Sequence, residues 1–150
     1  MYQLRFYQPA DFEFWLQLHH EAYRPRVEPI WGWDAAIQRG YAEKEILTPY
    51  SGQFIVQQNG QDVGYLSYTW EASGELYLSN IILIPTVRSQ GLGRQIIRDL
   101  QAWAKRLGRT IYLRTFENNP AKKLYEALGF VVYEHNTDNH HYYLRWSPTP

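Results

Sequence analysis

The apolar run Ile81-Ile82-Leu83-Ile84-Pro85 leads into Arg88-Ser89-Gln90-Gly91-Leu92-Gly93, after which Ile96, Ile97, Leu100, Trp103, Ala104 and Leu107 recur at helical spacing until Gly108. A buried strand therefore ends at two closely spaced glycines, and an amphipathic helix begins there. This restricts the fold, because the strand needs sheet partners and the helix must lay its apolar face on that sheet. The turn also carries chemistry. Gly91 and Gly93 leave the backbone uncovered, so phosphate oxygens can approach its N–H groups and meet the positive end of the helix dipole. Arg88 adds a movable positive charge. An ordinary strand-to-helix turn with a solvated arginine would use the same residues, so the pattern alone leaves both readings open.

The rest of the chain supplies the partners. Leu4 and Phe6 alternate with Gln3, Arg5 and Tyr7 in a first strand, and Pro9-Ala10-Asp11 marks the change to a helix. Phe12, Trp15, Leu16 and Leu18 form the buried stripe of that helix until Pro25 interrupts it. A second helix runs from about Trp33 to Ile46. Strands 53–57 and 63–68 flank Asn59-Gly60, a favourable hairpin turn, and Ser73-Gly74 turns into the strand through Leu76, Leu78 and Ile81 to Ile84. Alternation breaks near Asn80-Ile81, which predicts a bulge that leaves backbone groups available. Strand 110–115, helix 120–128, strand 130–136 and strand 140–146 follow. Hairpins followed by strand-helix-strand units give a mixed α/β sheet covered by helices.

With 150 residues and 45% hydrophobic composition, the chain builds one domain, read as 1–146 with 147–150 as a short tail. Its 15 basic and 15 acidic residues cancel, so no global field attracts nucleic acid or an anionic membrane. The absence of cysteine removes disulfides, thiolate metal sites and cysteine nucleophiles, and suits a reducing cytoplasm, the expected location. Arg5 interrupts the apolar start too early for a signal peptide, and no run approaches the roughly 20 apolar residues of a membrane span. His19-His20, His135 and His140-His141 are too scattered for a metal site. A lone Gly-x-Gly after several strands is not a dinucleotide fingerprint, and no Walker loop occurs.

Two segments are more specific than their physics. Residues 81–93 resemble the acetyl-coenzyme-A signature of the GCN5-related N-acetyltransferases (GNAT), and Asn118-Asn119-Pro120-Ala121-Lys122-Lys123-Leu124-Tyr125-Glu126-Ala127-Leu128-Gly129-Phe130 resembles their C-terminal motif, in the family's order and spacing. The resemblance implies a splayed central sheet, opening between strand 76–84 and the strand that starts near Thr110, with coenzyme A in the V. Its pantetheine arm would pair with the backbone of Ile81, Ile82 and Leu83 like an added strand. Its pyrophosphate would meet Arg88, Ser89, Gln90, Gly91, Leu92, Gly93 and Arg94. Asn118, Asn119 or both would contact the arm, although Asn119-Pro120 also reads as a plain helix start. Tyr125 would protonate the departing thiolate.

The implied reaction is acetyl transfer from acetyl-coenzyme A to a primary amine of a small molecule or peptide, releasing coenzyme A. The amine attacks directly once deprotonated, and a backbone N–H near Leu83 would steady the oxygen. A family position that can hold a glutamate base is Leu113 here, so the base is unassigned; Glu21, Glu28, Asp34, Glu71, Glu75, Glu117, His20 and a water chain are the candidates. Tyr23, Trp31 and Trp33 are candidate walls of the acceptor pocket. The alternative is a catalytically weak acyl-coenzyme-A-binding module with a regulatory or interaction role. The aromatic terminal strand 140–146 predicts packing across a homodimer, unless Tyr143 and Trp146 complete the chain's own core.

Overall fold

Seven strands form one sheet in the computed structural model, which describes residues 1–149. They are β1 (Gln3–Phe6), β2 (Ser51–Gln58), β3 (Gln61–Trp70), β4 (Leu76–Leu83), β5 (Ile111–Phe116), β6 (Val131–Asn136) and β7 (His141–Trp146), in the spatial order β1-β2-β3-β4-β5-β7-β6. The first four form an antiparallel meander. Asn59 and Gly60 both take positive φ, 53° and 77°, as the hairpin between β2 and β3 requires. Between the strands run α1 (Phe12–Trp31), α2 (Ala35–Ile46), α3 (Leu92–Leu107) and α4 (Ala121–Ala127).

Each face of the sheet has its own core. On one, Leu92, Ile96, Ile97, Leu100 and Ala104 of α3 meet Leu76, Leu78, Leu83, Ile111, Leu113 and Leu144, with Leu124, Tyr125 and Leu128 of the α4 region packed alongside. On the other, Trp15, Leu16 and Leu18 of α1 and Ala42 of α2 cover Tyr65 and Ile82. The expected bulge lies in β4: Ser67 faces Asn80 while Tyr68 faces Leu78, leaving Ser79 without a partner. That extra residue reverses which face the side chains take. Leu76 and Leu78 join the α3 core before it, whereas Ile82 joins the α1–α2 core after it.

The single parallel contact, β4 with β5, consists of two register pairs, Leu76 with Ile111 and Tyr77 with Tyr112. Beyond them β4 continues to Leu83 and β5 to Phe116 without pairing to each other. The sheet is therefore split down its middle.

Two expectations are corrected. Pro25 does not interrupt α1, which continues through Pro25 and Pro29 to Trp31. Each proline removes one N–H bond, but buried Val27 and a clamp between Arg26 and Asn118 hold the second half in place. The terminal strand β7 is not an edge, since it lies between β5 and β6 and Leu144 is fully buried. The outer strand at this end of the sheet is β6. No helix among the described residues is long and apolar enough to cross a membrane.

Candidate functional site

A cleft of about 1330 Å³ passes through the split. It is lined from the α3–α4 side by Gly93, Ile97, Leu124 and Tyr125 and from the α1–α2 side by Tyr23, Trp31, Gln38, Tyr41 and Glu45. Ile81, Ile82 and Leu83 of β4 and Arg114 and Phe116 of β5 form its flanks. Reagents held on opposite faces of the sheet can therefore meet at its centre.

The glycine turn lies beside this opening. Gly91, at φ 83°, caps α3 with no side chain, and the first α3 bond is from Gln95 N–H to Gly91 O at 3.0 Å. The N–H groups of Leu92, Gly93 and Arg94 are left without helical acceptors. A Cβ on Gly93 would meet only Leu83 Cδ1, at 3.9 Å, so nothing inside the protein requires glycine there. Ser89, Gln90 and Arg94 are exposed, while the Leu92 side chain belongs to the core and only its backbone faces the turn. Arg88 is tied rather than free: its Nε donates to Leu83 O at 2.9 Å and its Nη2 pairs with Glu21 at 2.6 Å.

The two asparagines have separate surroundings. Asn118 turns to α1, donating from Nδ2 to Arg26 O at 3.2 Å and accepting Arg26 Nη1 on its own carbonyl at 2.5 Å. Asn119 lines the cleft and caps α4, its Oδ1 accepting from Ala121 N–H at 2.9 Å. Tyr125 is held edge-on against Phe130, 5.8 Å between ring centres. Among the described residues its hydroxyl has no hydrogen-bond partner, and burial, then the nearby Tyr77, push it up to about 12.

Of the expected acceptor walls, Tyr23 and Trp31 line the cleft and Trp33 does not. Trp33 packs edge-on against His20 and lies under the Arg24 guanidinium. Tyr23 stacks on His19 at 4.5 Å and donates to Asn80 Oδ1 at 2.7 Å.

The candidate bases already have partners; Glu21 and Asp34 line the cleft, Glu21 paired with Arg88. Glu28 pairs with Arg24, Glu75 with Arg145, and Glu117 bridges His135 and His140. Glu71 accepts from Tyr112 at 2.7 Å, and Asp34 caps α2 through Ala36 and Ile37 N–H. His20 shares a 3.2 Å contact with His19, and burial holds both rings below the ordinary imidazole value. Leu113 points into the α3 core, and Arg114, next along β5, lines the cleft. Among the described residues no His, Asp and Glu cluster is arranged to hold a metal ion.

The acetyltransferase (GNAT) family model matches residues 12–130, which span both helical faces, the glycine turn and the Tyr125 helix. The chain belongs to the GNAT family of acetyltransferases. Solved structures agree with the fold. An acetyltransferase from Thermus thermophilus superposes with a TM-score of 0.76 at 18% identity, over 98% of this chain and 97% of that one. The PaiA N-acetyltransferase of Thermoplasma acidophilum, in complex with coenzyme A, gives 0.74 at 15% identity, over 98% and 99%. YncA of Salmonella typhimurium, solved with its cofactor acetyl-CoA, gives 0.67 at 18%, over 100% and 95%. A comparison with curated proteins returned no match.

In this GNAT chain the residue that sequence reasoning missed is Glu45. It lines the cleft and accepts hydrogen bonds from Tyr65 Oη at 3.1 Å, Ser67 Oγ at 3.0 Å and Asn80 Nδ2 at 3.0 Å. Burial raises its pKa while those three hydrogen bonds oppose the rise. Gln38 and Ala42, the buried residues of α2, share a helical face with Glu45, but a glutamine and an alanine do not mark that face in the sequence.

Proposed function

We propose that this chain carries an acetyl group from acetyl-coenzyme A to a primary amine by direct attack. The observation that carries this reading is the cleft through the split sheet, which joins the unpaired N–H groups of the α3 start to the aromatic α1–α2 side. Two of the structural relatives were solved with coenzyme A or acetyl-CoA, which supports the same donor here. The donor supplies an acetyl group activated as a thioester.

The chain's own groups divide the remaining work. The Ser89–Arg94 backbone receives the pyrophosphate, and the unpaired edge of β4 at Ile81–Leu83 receives the pantetheine arm in the manner of an added strand. Arg88 exchanges its Glu21 partner for phosphate. Asn119 is the asparagine that faces the arm, while Asn118 fastens α1. Tyr125, whose hydroxyl burial keeps protonated, gives its proton to the departing thiolate. The amine enters beside Tyr23 and Trp31, and with no cysteine in the chain no thiol relay takes part.

Calorimetry with acetyl-coenzyme A, followed by an amine panel that detects released coenzyme A with mass spectrometry of the product, tests the reading. Saturable binding and acceptor-dependent release are expected; absence of binding would sink it, and binding without release would leave a cofactor-binding module. Gly93→Ala refines the test. Alanine favours the helix by about 0.5–1 kcal/mol over glycine and has room, so the variant keeps its fold while its affinity for acetyl-coenzyme A falls at least tenfold. Unchanged affinity would remove the phosphate from this turn.

A further inference from the structure

Two opposite charges face the acceptor half of the cleft without neutralising each other. Glu45 of α2 has three neutral donors around it, Tyr65, Ser67 and Asn80. Arg114 of β5 lies beside Tyr77 and Tyr143, with Tyr23 nearby. Among the described residues neither takes part in an ion pair, although ten are formed elsewhere in the chain. Tyr23 and Tyr77 line the same cleft as both charges, and Glu45 raises while Arg114 lowers their hydroxyl pKa values. The carboxylate and the guanidinium thus border one tyrosine-walled space.

Arg114 is exposed to the open cleft and Glu45 half-buried, so a ligand that fills this space takes both charges out of water and must bring groups of opposite charge to offset that cost. An ammonium matches Glu45. A guanidinium presents its N–H groups in a planar fork, which suits the two oxygens of a carboxylate or a phosphate. We propose that the acceptor is a small amine carrying its own anionic group, a carboxylate or a phosphate, with Arg114 holding the anion and Glu45 the ammonium, which releases a proton to water in the open cleft before its nitrogen attacks the thioester. This rests on the acetyltransferase reading and narrows it. A diamine or polyamine sets a second cation against Arg114 and is rejected, while an uncharged amine leaves Arg114 unsatisfied.

The test uses full-length protein with four acceptor sets of matched length: ω-amino acids, ω-aminoalkyl phosphates, ω-amino alcohols and diamines. Binding to the coenzyme-A-loaded protein is followed by calorimetry and turnover by coenzyme A release. At least one anionic set should exceed the amino alcohols at least tenfold in both affinity and kcat/KM, and the comparison of carboxylate with phosphate tells which anion the site takes. Arg114→Met should collapse that ratio toward one, and Glu45→Gln should weaken every amine, the diamines included. Failure of acetyl-coenzyme A to bind would sink the transferase reading itself. With acetyl-coenzyme A bound normally, the proposal is overturned if alcohols or diamines equal or surpass the anionic amines, if no amine of any set binds, or if Arg114→Met lowers all sets alike.

Discussion

At Tyr125 the aromatic ring completes the core beside Phe130 while the hydroxyl is left without a protein partner. Tyr125→Phe keeps the packing and removes the proton donor, so single-turnover rates should fall by roughly 10²–10⁴-fold for all amines, with acetyl-coenzyme A affinity retained. A loss confined to one amine would assign Tyr125 to pocket shape. His19 makes a second residue-scale prediction. It is buried between Trp15 and Tyr23, and burial, with the charge of His20 second, lowers its pKa from the ordinary 6.5 to about 4. Above pH 6.5 both folded and unfolded chains hold it neutral. Below that, the unfolded chain binds the proton first, so stability falls between pH 6.5 and pH 4 and this contribution levels off below. The loss is about 3 kcal/mol at most. Urea unfolding at pH 7 and pH 4.5 measures it, and His19→Phe should flatten the difference.

Helix α4 shows how one short element serves two ends. Seven residues make a marginal helix, so its start depends on the Asn119 side chain accepting from Ala121 N–H. Asn119→Ala should cost about 0.5–2 kcal/mol in thermal or urea unfolding and also weaken acetyl-coenzyme A binding, because the same amide lines the cleft. Asn118→Ala removes only the Nδ2 bond to Arg26 O, away from the cleft lining, and keeps the backbone carbonyl that accepts from Arg26 Nη1, so cofactor affinity should stay within twofold by calorimetry. Reversed outcomes would exchange the two assignments. In α1 the local rule failed: a proline ends a helix in isolation, yet packing on both sides of Pro25 carries α1 over the cleft to Trp31. The hydrogen bond lost at a proline is a fixed local cost, whereas the compensating contacts come from β5 and its following loop, far away in sequence.

Across the whole molecule, stability hinges on β7, which pairs with β5 from Ile111–Trp146 to Phe116–His141 and with β6 on its other side. A chain ending at Asn139 should lose its fold, seen as collapse of near-UV circular dichroism and amide dispersion, because β6 would have no neighbour and Leu113 would lose Leu144. Removal of Ser147 onward should shift Tm by less than about 2 °C, since among the described residues the hydrogen bonding lost is an exposed Thr110–Ser147 hydroxyl contact. A folded chain without β7 would contradict the sheet order. The sequence by itself determined the features set by local backbone constraint: the Asn59-Gly60 hairpin, the bulge near Asn80, the strand-to-helix turn at Gly91 and the stop at Gly108. Those positions need left-handed φ, or break an alternation, and leave few alternatives to the chain. Only the tertiary structure decided that β7 enters between β5 and β6, that Asn119 rather than Asn118 faces the cleft, and that Glu45 and Arg114 share it. The reason is physical: strand neighbours and the partners of a polar side chain depend on contacts between distant segments, and α2 carries too weak an apolar stripe to announce which face it buries.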